Sequence, residues 1–219
     1  MQTVVGVGMA SRSFFGGRRH FGELGCDNVV RSWIAREAAN ESKNLLVGKP
    51  AKNLLRQLML EEIALDVSLG SLYLSKRLSP AGQRDYPSLL CEAARSHDID
   101  WLADLRQQGR MNGTEQRRNR SGGYTTARVP VTAPDTAAEG EFNRFYARAL
   151  CRRAIAGESD TLVVYRAKQV DQPRAESLAL IGTSLDPTAL LADLRAHPGM
   201  DTALRLPPGP NSGLSVRLP

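Results

Sequence analysis

Apolar residues recur every three or four positions from 27 to 108, lose that rhythm between 109 and 140, and regain it after 141. Such recurrence puts apolar side chains on one face of a helix. Asp27 is suited to cap a helix reaching about Leu46, with Val30, Trp33, Ile34 and Ala38 on one side. Gly48 and Pro50 break it. A second helix is expected from about Ala51 to Ser68, apolar around most of its circumference through Leu54, Leu55, Leu58, Ile63 and Leu65. Such a helix belongs in the centre of a fold, and Gly70 ends it. Residues 71–78 read as a short helix or turn and Ser79–Gly82 as a turn, followed by helices at about Pro87–Ser96 and Ile99–Gln108. Asp98 is placed to cap the last of these.

After the break, Glu141–Ala156 reads as a helix and Thr161–Tyr165 as the clearest strand. Glu176–Ile181 is short and ambiguous. Asp186 followed by Pro187 opens a helix to about His197, an N-cap with proline at the first helical position. From Pro207 the chain is extended, and Leu214–Leu218 suits a sheet edge. At the start, Thr3–Gly8 is strand-like and Ser11–Gly25 is a glycine- and arginine-containing stretch. The expected fold is α+β and mainly helical, an N-terminal helical bundle with a smaller C-terminal α/β part of few strands. Four regions follow: an arm at 1–26, a helical region at 27–108, an Arg-rich irregular connection at 109–140, and an α/β region at 141–219. The helix at 141–156 is expected to pack against both parts and make one cooperative unit.

Composition sharpens this in three ways. At 219 residues the chain can bury a core without disulfides or metals. Cys26, Cys91 and Cys151 are odd in number and far apart, which fits reduced thiols in a cytoplasmic protein rather than a disulfide framework or zinc site. No apolar run approaches the roughly 18 residues of a membrane span, and no secretory leader pattern opens the chain. Lys plus Arg number 29 against 23 acidic residues, and all but five of those cations are arginine. Arginine pairs bidentately with phosphate or carboxylate. GC-rich coding would raise arginine as well.

The arginines concentrate where the helical rhythm stops. Arg106, Arg110, Arg117, Arg118, Arg120 and Arg128 stand there with Tyr124, Asn112, Gln116 and Asn119, against one acid, Glu115. Guanidinium groups bind phosphate, amides bind base edges, and tyrosine stacks on bases. Arg144, Arg148 and Arg152 follow at four-residue spacing, one stripe on one helix. Like charges so placed repel by a few tenths of a kcal/mol per pair. Either phosphates or the acids Glu61, Glu62 and Asp66 would relieve them.

Catalytic signatures are weaker. Lys168 after a strand, with Asp160, Asp171 and Glu176 nearby, is reminiscent of metal-dependent nucleases, but Arg166 stands where their pattern needs an acid. His97 and Asp98 are adjacent and so point apart. Gly6-Val7-Gly8 lacks the third glycine of a dinucleotide fingerprint, and in Gly48-Lys49-Pro50 proline replaces the hydroxyl of a phosphate loop. Cys151 beside two arginines is a thiol of lowered pKa or a packing residue. No cofactor motif is present.

Three functional classes remain. The leading one is a nucleic-acid-associated, polyanion-binding protein. The second is an assembly protein that forms homo-oligomers through extended termini. The third is a metal-dependent phosphodiesterase.

Overall fold

The computed structural model describes residues 50–106, 108–168, 173–199 and 213–219, with side chains from Asn53 onward. The strand expected at 3–8, the arm and the helix from Asp27 lie outside the described residues, as does Asp171. The fold is α+β, with helices packed first and small antiparallel sheets later in the chain.

Helix α1 spans Pro50–Leu69 and sends Met59, Leu60 and Ile63 into the interior. It stops at Gly70, whose φ of 64° is costly for any residue bearing a Cβ. There Ser71 N–H bonds to Asp66 O at 2.9 Å and Gly70 N–H to Val67 O at 3.2 Å, closing the helix end. Of the short helix or turn expected at 71–78, the structure has the turn, at Lys76–Arg77, within otherwise extended chain. The backbone there is used by a neighbouring segment: Leu78 bridges Met111, and Asn112 N–H bonds to Arg77 O at 2.8 Å.

Helix α2 spans Pro80–Ser96, so it begins seven residues before the expected Pro87. Ser79 Oγ accepts from Gly82 N–H at 3.1 Å, and Pro80 occupies the first turn, where its missing N–H costs nothing. Gly82 is there for space: a Cβ at this position would sit 2.1 Å from Arg110 O. Helix α3, Ile99–Ala103, is capped by Asp98, which accepts from Trp101 N–H at 3.0 Å.

The supposedly irregular connection contains an antiparallel hairpin, β1 Thr114–Arg118 with β2 Tyr124–Arg128. Helix α4 then starts at Ala133, not 141, and runs to Arg153, continuing as a π-helical turn over Ala154–Glu158. The remaining elements are β3 Leu162–Arg166, α5 Ala175–Leu180, β4 Ser184–Leu185, α6 Pro187–Ala196 and β5 Leu214–Arg217. Asp186 caps α6 by accepting from Thr188 and Ala189 N–H at 2.7 and 2.8 Å. The sheet order is β4-β3-β5, all antiparallel, so the C-terminal strand lies at an edge of the chain's own sheet.

Two apolar clusters share α4. Phe145 and Ala149 pack with α1, α2 and α3, against Ile63, Leu90 and Leu102. Leu150, Cys151 and Ala154 pack with the sheet and α6, against Leu162, Val216 and Leu191. Among the described residues, no helix is long and apolar enough to cross a membrane.

Candidate nucleic-acid interface

The arginine stripe on α4 faces inward, which removes it from the expected binding set. Arg148 is fully buried. Its Nε donates to Glu62 Oε2 at 2.9 Å, and its two Nη atoms donate to the Asp66 carboxylate at 2.7 and 2.9 Å. The guanidinium carbon lies 5.0 Å from the centre of the Phe145 ring. Arg195 of α6 binds the same Glu62 at 2.6 and 3.0 Å. Arg152 reaches Glu61 at 2.7 Å and Glu62 at 3.5 Å. Arg144 is buried within 3.7 Å of Glu141. Compensation is therefore internal, by the acids of α1 and α4.

The electrostatics follow from this packing. Burial works against a charge on Glu62, but the hydrogen bonds and positive charges of Arg195 and Arg148 outweigh it and hold the carboxyl below the usual range. Glu141 has no such set of donors. Burial dominates there and pushes its carboxyl up to about 7, partly offset by Arg144. Burial also pushes the Cys151 thiol up to about 12, so it is the packing residue and not an activated thiol.

The hairpin is different. Register places Thr114 opposite Arg128, Gln116 opposite Thr126 and Arg118 opposite Tyr124, so these six side chains share one face. That face holds two arginines and no acid. Gln116 Nε2 donates to Thr126 Oγ1 at 2.9 Å. Arg120 sits in the turn, where Asn119 N–H bonds to Gly123 O at 2.8 Å and Gly122 takes a φ of 88°. Arg118, Arg120 and Arg128 are exposed, and none has an ion-pair partner among the described residues. Tyr124 is 71% exposed.

The opposite face is the anchored one. Glu115 accepts from Arg77 Nε at 2.6 Å and from Arg117 Nε at 2.6 Å. Those bonds, Arg77's first, hold its carboxyl below the usual range. Val129 N–H to Gly113 O at 3.1 Å closes the root of the hairpin.

Compared with known proteins, the chain matches no family model, no curated protein and no solved structure.

The remaining expected site residues scatter. Arg106 is exposed but donates to Pro130 O at 2.6 Å. Arg110 is partly buried between Gln108, at 2.6 Å, and Asp85, at 3.3 Å. Arg117 lies on the anchored face. Lys168 is paired with Glu139, while Asp160 precedes β3 and Glu176 opens α5, both exposed. Among the described residues, no group of three His, Cys, Asp or Glu side chains is placed to hold a metal ion. His97 stacks on Trp101 with ring centres 4.3 Å apart, and its carbonyl accepts from Arg56. Sequence reading missed Arg77 and Lys76, which border the hairpin root. Their signal is tertiary, since an isolated bridge joins Leu78 to Met111.

Proposed function

We propose that this chain binds nucleic acid through the β1–β2 hairpin. The observation that carries the reading is the face of Gln116, Arg118, Tyr124, Thr126 and Arg128, with Arg120 at the tip: exposed, cationic and without a neutralising carboxylate among the described residues. Elsewhere Arg110, Arg144, Arg148 and Arg152 pair with acids and Arg106 is held by the Pro130 carbonyl, so the hairpin holds the cluster of arginines with no carboxylate partner among the described residues. Arginine and glutamine supply hydrogen-bond donors and tyrosine supplies a stacking surface. Cys91 and Cys151 are both buried in the apolar clusters, as packing thiols in a reducing cytoplasmic setting would be. The assembly reading rests on both extended termini and the phosphodiesterase reading on Asp160, Lys168, Asp171 and Glu176; the N-terminal arm and Asp171 lie outside the described residues, Leu214–Arg217 pairs with β3, and Lys168 is paired with Glu139.

Salt dependence tests the proposal. If Arg118, Arg120 and Arg128 each neutralise one phosphate, affinity for DNA falls roughly 40-fold between 50 and 200 mM salt. Replacing Arg118 and Arg128 by glutamine cuts that fall to about fourfold. An unchanged salt slope in this double variant refutes the assignment.

A further inference from the structure

Resting on that reading, we infer that the hairpin is a groove-entering ribbon, and that its ligand is double-stranded DNA met in the major groove. The deciding feature is exposure on both faces. Residues 116 to 126 are all exposed, and only Glu115 and Ala127 at the root are partly covered. A sheet that displays single strands for stacking keeps its other face on a core; beyond its anchored root, this ribbon is exposed on both faces.

Its size fits one groove. Paired strands are about 4.8 Å apart, and five residues extend about 17 Å, close to five base-pair steps. The B-form major groove is about 12 Å wide and about 8.5 Å deep and admits a two-stranded ribbon. The B-form minor groove, about 6 Å wide, does not. The deep, narrow major groove of double-stranded RNA also excludes it.

The chemistry of the face fits the groove floor. Gln116 is held by Thr126, which uses one Nε2 hydrogen. Its Oε1 and second hydrogen are left as the acceptor and donor that adenine presents for at N6 and N7. Arg118 and Arg128, on the same face, bring their charge to the phosphates along the groove edges. Arg120 at the tip reaches phosphate. At the root an open groove of about 550 Å³ lies between residues 73–77 and Thr114–Gln116. Ser75 and the exposed Lys76 line it, and they offer donors to a passing phosphate.

The test uses the purified full chain with fluorescein-labelled 20-base-pair DNA of mixed sequence, the same sequence as double-stranded RNA, and each single strand. Competition with methyl green, which occupies the major groove, is compared with netropsin, which occupies the minor groove. Expected are at least tenfold tighter binding to duplex DNA than to the other forms, displacement by methyl green but not netropsin, and at least a tenfold loss in Arg118→Gln/Arg128→Gln. Arg84→Gln, an exposed arginine on α2, serves as the control and leaves binding unchanged. Circular dichroism confirms that the variants are folded. Equal or tighter binding to single strands or RNA, or displacement by netropsin, overturns the groove assignment while leaving nucleic-acid binding in place. Absence of binding to all four probes at 50 mM salt overturns both, and points the exposed arginines toward an acidic protein.

Discussion

Arg148→Met tests whether the buried network is placed correctly. The substitution keeps an unbranched apolar stem but removes the guanidinium that binds both Glu62 and Asp66. Glu62 retains Arg195 and Arg152, whereas the Asp66 carboxylate keeps no ion-pair partner among the described residues. Stripping one partner from a buried pair costs about 3–5 kcal/mol. In a chain of this size that lowers the melting temperature by roughly 10 °C. Thermal and urea unfolding at pH 7 measure it. Adding Asp66→Asn to Arg148→Met removes the stranded charge and recovers part of the loss, which a double-mutant cycle quantifies. The pH dependence gives a second check. In the native protein the carboxyl of Glu62 is held down by its arginines, so its contribution is complete above the ordinary carboxylate range and is lost as pH falls through its lowered folded pKa. In Arg148→Met one of the arginines that hold Glu62 down is gone, so less stabilisation is left to lose and the deficit shrinks as pH falls through the carboxylate range. A shift under 2 °C, or a deficit independent of pH, refutes the placement.

Glu141 carries the opposite sign. Its folded carboxyl sits at about 7, against 4.5 when unconstrained, so the folded state binds the extra proton and stability falls as pH rises between those values. Glu141→Gln removes this dependence and stabilises the chain by roughly 3 kcal/mol at pH 8, with no gain at pH 4.5; urea midpoints at the two pH values measure it, and equal pH slopes refute it. Gly82→Ala forces a methyl group onto Arg110 O and lowers stability by about 1–3 kcal/mol, unlike the usual gain from alanine in a helix. A melting temperature equal to or above that of the parent counts against the close approach.

Much of the helical framework was readable because its punctuation is local. Asp186 with Pro187, Asp98 before Ile99, and Gly70 after α1 each act within four residues, and each sits where the pattern put it. The errors came from distant partners. Ser79–Gly82 looks like a turn because nothing local reveals that Gly82 is small to admit Arg110 O. Residues 109–140 looked irregular because β1 and β2 have no apolar face and so no alternating pattern. The start of α4 is written in small residues around Pro134, which reads as a breaker unless it is recognised as a first-turn proline. The arginine stripe was correct in spacing, and Glu61, Glu62 and Asp66 were identifiable as partners. Which side it faces depends on α1, 82 residues before Arg148 at Asp66, and on α6, whose Arg195 meets Glu62 across 133 residues of chain. The hairpin cluster kept its sequence members Arg118, Arg120, Tyr124 and Arg128, because exposed groups need no tertiary partner.

The hairpin contributes almost nothing to either apolar cluster and hangs from the body by its root bonds. Residues 116 to 126 can therefore be exchanged, lengthened or recharged with little consequence for folding. Variation there would be filtered by what the ribbon touches rather than by whether the chain folds. The body acts as a fixed mount and the ribbon as a replaceable tip, so under the proposed function its binding preference is separable from the scaffold that carries it.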